Sequence, residues 1–182
     1  MQIQGPLSED VMVEVVGEEV SDIPYYGLMD TEINGCEVLV SQTGFSGEKG
    51  FEVYVKDASE NAEAVWDPVM AEVKNHGGRQ IAPGHHRRIA AGILSWGQDM
   101  DHETSPFQVN LGYQVPDDKD GDYIGKEELE RQKELIEDGE YPFNLKLVGL
   151  KIAGEPIRDY APDFWIISDP ETDEEGGYMT SP

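Results

Sequence analysis

The sequence predicts an α+β fold. Two observations carry the prediction: runs with the two-residue alternation of strands are interspersed with helical spacings through about residue 140, and beyond that point only strand-like runs remain. The 182 residues, 38% of them hydrophobic, suffice for one domain with a core and part of a second. The boundary is expected at residues 139–144, separating residues 1–140 from the start of a β-rich domain at 141–182.

Residues 3–6 read as a strand halted at Gly5-Pro6, because proline has no N–H to give a ladder. A short acidic element, helix or strand, follows, with Ser8 as its N-terminal cap and Val11, Val15 and Val16 on its buried side. Residues 23–29 are apolar and aromatic. Asn34-Gly35 between extended runs is a strong signal for a two-residue hairpin, after which Val38 and Val40 continue as a strand. The glycine-rich residues 44–50 then lead into an alternating strand at 51–55. Residues 58–75 place Ala62, Val65, Val69 and Val73 near helical spacing, and Gly77-Gly78 stops them. Pro68 is expected to kink that helix or to open a second one capped by Asp67. Residues 87–94 read as a more buried helix, and 127–137 as an exposed one with Leu129 and Ile136 inward. Residues 145–152, 164–167 and 177–180 read as strands. The chain stops directly after the last of these, so a piece cut from a longer protein is expected.

Charge narrows the partners. Against 13 basic residues stand 38 acidic ones, a net −25 spread along the whole chain. Such a surface repels nucleic acid and anionic lipid. No apolar run approaches the roughly 20 residues that span a bilayer, and the first residues lack the basic start and apolar stretch of a secretory signal. A soluble, cytoplasmic protein is expected, and the acidity suits a salt-adapted cytosol of haloarchaeal type. The single cysteine, Cys36, lies in an alternating run and reads as a strand residue.

Few residue clusters suggest chemistry unaided. Residues 44–50 lack the Gly-Lys-Ser/Thr of a nucleotide loop and open no helix, so composition reads them as a hairpin connection. His85-His86-Arg87-Arg88 is a basic cluster, but adjacent helical residues do not share a face, so it is no two-histidine metal site. Asp99, Asp101, His102 and Glu103 lack calcium-loop spacing and read as a solvated turn; no metal is expected. Trp96 reads as core packing.

One string changes the reading. Ser41-Gln-Thr-Gly-Phe-Ser-Gly-Glu-Lys-Gly-Phe-Glu-Val-Tyr54 resembles the signature of the glycine-cleavage T-protein (aminomethyltransferase) family. Gln4-Gly-Pro6, Ala91-Gly-Ile-Leu-Ser-Trp-Gly-Gln-Asp-Met-Asp101 with Ser105-Pro-Phe107, Tyr123-Ile-Gly-Lys-Glu-Glu-Leu129, and the stretch from Gly149 to Thr180-Ser-Pro182 agree in order and spacing. The resemblance implies part of a tetrahydrofolate-binding domain followed by the beginning of a C-terminal β-barrel domain. It implies tetrahydrofolate as cofactor, a small-molecule one-carbon donor, and a lipoyl carrier protein if the chain serves glycine cleavage.

The family places a pterin-binding carboxylate at Glu52. The choice of residue is chemically sensible, because the aminopyrimidine edge presents adjacent N–H donors that one carboxylate accepts in a two-pronged arrangement. Tyr54 shares a strand face with Glu52 by the two-residue period and would add an aromatic wall. Phe45 holds the loop's aromatic position, Tyr25 or Tyr26 offers a second ring contact, and Arg88 matches the second family arginine. Gly84 and Ala90 stand where aminomethyltransferases carry an arginine and a glutamate, and several loops look closer to the dimethylsulfoniopropionate demethylase-like branch. The family's donor-binding aspartate lies upstream and has no counterpart here, so no catalytic residue is assigned. Three readings result: a fragment of a one-carbon transferase inactive alone, a demethylase of a methylated sulfur or oxygen compound, or a non-catalytic folate-binding module.

The charge makes a prediction. At about 1 M salt the screening length falls to about 3 Å and self-repulsion largely disappears. The thermal midpoint is expected to rise from low to molar KCl in a calorimetric scan; a flat or falling midpoint contradicts the salt-adaptation reading.

Overall fold

The computed structural model describes residues 1–82, 84–116, 121–151, 153–155 and 164–181. They form two compact units, residues 1–93 and 94–182, both of mixed helix and antiparallel sheet. The expected boundary at 139–144 falls within the second unit.

In the first unit, β1 (Gln2–Gln4), β2 (Leu28–Ile33), β3 (Cys36–Ser41) and β4 (Gly50–Val55) make a four-stranded antiparallel sheet in the order β1-β4-β3-β2. Helices α1 (Ser8–Val16) and α2 (Ala58–Asn75) pack on the same side of it. Ile3, Ile33, Val38, Val40, Phe51 and Val53 of the sheet meet Val11 and Met12 of α1, Val65 and Val69 of α2, and Val20 and Ile23 of the link after α1. Along β4 the alternation is strict enough to divide its residues: Phe51 and Val53 are buried, Glu52 is half-buried and Tyr54 is exposed.

The hairpin signal at Asn34-Gly35 is realised. Ile33 pairs with Cys36, and both turn residues have positive φ, 52° and 75°, as a type I′ turn requires. The turn also solves the problem posed by Pro68. Helix α2 runs through Pro68 without interruption, so neither a second helix nor a cap at Asp67 exists. Proline offers no N–H to the carbonyl of Ala64 four residues back, and the Asn34 side-chain amide donates to that oxygen instead, at 3.2 Å.

Other expectations in this unit need correction. Ser8 does not cap α1; it is the first helical residue, buried, and its hydroxyl donates to Lys49 O at 3.0 Å. Met12 takes the buried place expected of Val15 and Val16, which are only half-buried. The helix expected at 87–94 is the shorter α3 (His85–Ala90), ended by Gly92 at φ 71°. Gly92 N–H donates to Ile89 O and Ile93 N–H to Arg88 O, the paired bonds of a Schellman stop. Its buried residue is Arg88, 1% exposed, rather than an apolar one.

The second unit has a thin core. Among its described residues only Val109 is buried. Helix α4 (Lys126–Glu137) is amphipathic as expected, with Leu129, Leu135 and Ile136 half-buried. β5 (Trp165–Ser168) and β6 (Glu175–Met179) form an antiparallel pair close to the expected positions. The strand expected at 145–152 does not form. Residues 145–147 instead run beside 108–110, with Leu147 N–H on Gln108 O at 2.8 Å and Asn110 Nδ2 on Leu147 O at 3.0 Å, while Ile152 lies outside the described residues. Trp96 is 58% exposed, against the expectation of a core residue, and meets His102 edge-on. Nor is the 99–103 segment merely solvated: Asp99 accepts from Ser95 N–H and from the hydroxyls of Thr180 and Ser181, tying the turn to the end of the hairpin. No helix of the described residues is long and apolar enough to cross a membrane.

The Asn34–Ala64 bond makes a prediction. Asn34→Gly keeps the turn geometry but leaves the Ala64 carbonyl without its donor, and is expected to lower stability by about 0.5–1 kcal/mol in urea titration. In a Pro68→Ala background, where an N–H returns to that carbonyl, the loss should vanish; an equal loss in both backgrounds contradicts the assignment.

Candidate functional site

The side of the sheet away from α1 and α2 carries the polar residues. Pairing sets Gln2, Glu52 and Ser41 abreast on β1, β4 and β3, so their side chains emerge on the same face. Leu39 and Tyr54, also paired, flank them two residues on.

Glu52 is the centre of this face. Its Oε1 accepts from Gln2 Nε2 at 2.8 Å, and its Oε2 accepts from the Thr43 hydroxyl and from Tyr54 OH, the latter at 3.2 Å. The Thr43 hydroxyl is in turn 3.0 Å from that of Ser41. Three donors therefore hold one carboxylate in place, leaving about one of its four lone-pair positions open. The negative charge of Glu52 is the main cause that raises the Tyr54 phenol above its ordinary pKa, with burial and the hydrogen bond adding to it. Tyr54 thus stays protonated, and its O–H remains a donor.

Beyond β3 the chain forms the glycine loop, residues 42–49, which walls a cavity of about 370 Å³ together with Tyr25, Gly50 and Ile93. The Tyr25-Tyr26 segment is anchored to the loop's start: Tyr26 N–H donates to Gln42 O at 3.2 Å and Gln42 N–H to Gly27 O at 3.1 Å. The two tyrosine rings lie 4.1 Å apart at a tilt of 47°, both largely exposed, and Tyr25 is the one that lines the cavity. Phe45 is 42% exposed at the loop's tip, with the Arg88 guanidinium 5.8 Å from its ring centre. Arg88 is committed to structure, its Nε donating to His85 Nδ1 at 3.1 Å and its Nη1 to Ile93 O at 3.1 Å.

The structure thus brings Glu52 and Tyr54 into direct contact, sets Phe45 against Arg88, and stations Tyr25 at the cavity, with Tyr26 beside it. Sequence reasoning missed Gln2 and Thr43 as parts of the site. Thr43 stood within the signature string and could have been singled out by it. Gln2 acts through pairing with Glu52, fifty residues away, for which the sequence carries no local signal.

Comparison with known proteins identifies the family of the chain. The family described as "GCVT N-terminal domain" matches residues 1–119. An aminomethyltransferase of Thermotoga maritima is 37% identical over 156 residues, 85% of this chain and 40% of that protein. An aminomethyltransferase of Bacillus pumilus is 36% identical over 165 residues, 88% of this chain and 43% of its own length. One from a Geobacillus species is 35% identical over 137 residues, 74% and 37% of the two chains. The chain spans about two fifths of the length of these curated relatives. With the family matching well over half of its residues, this chain belongs to the GCVT N-terminal domain family.

Proposed function

We propose that this chain is the folate-binding portion of a tetrahydrofolate-dependent one-carbon transferase, with Glu52 as the pterin-binding carboxylate. The observation that carries the reading is the arrangement of Glu52: a carboxylate held by Gln2, Thr43 and Tyr54 on the sheet face opposite α1 and α2. The aminomethyltransferase names of its relatives support the reaction class.

The donor set suits the ligand. A two-pronged aminopyrimidine needs one acceptor position on each carboxylate oxygen. Oε1 has one to spare, but Oε2 already accepts twice, so one donor must yield. Tyr54 is that donor, being the longer contact from an exposed side chain, and its ring stays to wall the pterin. Thr43 and Gln2 remain to keep the carboxylate aimed. Tyr25 in the cavity wall or Tyr26 beside it adds a second aromatic contact, and Phe45 at the loop's tip, braced by Arg88, adds a third. Tetrahydrofolate supplies the nitrogen that accepts the one-carbon unit, and the protein's part is to hold it against the donor carbon, so positioning supplies much of the rate.

In this reading residues 1–140 complete the folate-binding domain of a longer protein, and residues 141–182 begin a β-barrel domain. The donor is a small molecule, or an aminomethyl group on a lipoyl carrier protein, and its site is contributed by parts of the protein other than this chain, which is inactive alone. A methyl donor is the second reading, favoured by the string Gly92-Ile-Leu-Ser-Trp-Gly-Gln-Asp99.

Calorimetric titration of tetrahydrofolate into the full-length protein in molar KCl tests the proposal. Glu52→Ala is expected to weaken binding at least about a hundredfold, since a charge-assisted, two-pronged pair is lost, while Glu63→Ala, exposed on α2 on the other side of the sheet, leaves it unchanged. Tyr54→Phe, which removes only the donor that yields, should stay within about threefold of wild type. Equal affinity in Glu52→Ala and wild type sinks the assignment.

A further inference from the structure

We propose that Gln4 is a positioning residue for this site, whose carboxamide wedges the glycine loop so that Thr43 holds Glu52 at its bound angle. The inference rests on the reading of Glu52 as the pterin-binding carboxylate.

Gln4 ends β1 opposite Gly50, the first residue of β4, and its half-buried side chain reaches across the mouth of the loop. Its Nε2 donates to Thr43 O at 3.2 Å and to Ile3 O at 3.3 Å, and its Oε1 accepts from Ser46 Oγ at 2.7 Å. One amide thus grips the loop at its entry and near its tip. The far end is held separately, by Ser8 Oγ and Gly5 N–H on Lys49 O at 3.0 and 2.9 Å.

The wedge explains a glycine. At Gly44 the nearest atoms to an added Cβ all belong to the Gln4 carboxamide, so a methyl there collides with Gln4. Gly44 therefore serves to admit Gln4. The backbone of Thr43 is clamped on one side by this bond, and its hydroxyl lies between Ser41 and Glu52 Oε2 on the other. With the carbonyl released, Thr43 can turn, and Oε2 of the carboxylate loses the donor that remains to it when Tyr54 yields. The effect passes through Thr43; Gln4 itself needs no contact with folate.

Tetrahydrofolate titration of the full-length protein in molar KCl, with melting midpoints read alongside, tests this. Gln4→Ala is expected to raise the Kd about tenfold with the fold retained, as the loss of one or two modest hydrogen bonds suggests. Gly44→Ala should do the same. The double variant should bind no worse than either single one, because removing the carboxamide clears the space the methyl needs; a merely structural role predicts additive loss or none in affinity. Should Gln4→Ala not fold, Ser46→Ala, which frees Gln4 Oε1 and leaves β1 intact, is expected to raise the Kd about threefold. Wild-type affinity in these variants, beside lost binding in Glu52→Ala, overturns the role of Gln4 alone. No binding by the wild-type protein overturns the folate reading and the role of Gln4 with it.

Discussion

Strand β4 lies between β1 and β3, and the rest of the first unit depends on its register. Pairing on both edges fixes which residues face the helices, Phe51 and Val53, and which face away, Glu52 and Tyr54. A slip of one residue would bury a carboxylate among valines and expose a phenylalanine, a cost of several kcal/mol. The hydrophobic face therefore specifies the polar one. The same burial that stabilises the sheet aims Glu52 outward between Gln2 and Ser41.

What surrounds β4 turns an aimed carboxylate into a fixed one. A lone surface glutamate samples several rotamers, and holding it costs side-chain entropy. Here that ordering is already done, by donors from three separate segments: β1, the start of the glycine loop, and β4 itself. Preorganisation of this kind lets a modest number of hydrogen bonds discriminate strongly. The loop that carries Thr43 and Phe45 is secured in turn at both ends, by Gln4 near its start and by Ser8 and Gly5 at Lys49.

Features set by neighbouring residues were legible in the sequence. The Asn34-Gly35 hairpin, the helix stopped at Gly77-Gly78 and the division of β4 each follow from short-range stereochemistry, and the structure has all three. The family signature pointed to Glu52 and Tyr54, which the two-residue period put on one face. What escaped notice depends on distant partners. Pro68 looked like a break because the donor that replaces its missing N–H, Asn34, lies thirty residues from the Ala64 carbonyl it serves. Ser8 looked like a cap because its real acceptor, Lys49 O, is forty-one residues off. Gln2 gave no sign of its bond to Glu52 for the same reason. At residues 145–150 an alternating pattern found no sheet to join, and pairing with a neighbour, rather than alternation, makes a strand.

The most direct measurement is a crystal structure of the full-length protein with tetrahydrofolate. The account predicts the aminopyrimidine edge on both oxygens of Glu52, with Tyr54 OH turned away and Gln2 and Thr43 still in place. Folate bound elsewhere, with the Glu52 cluster unchanged and untouched, would contradict it.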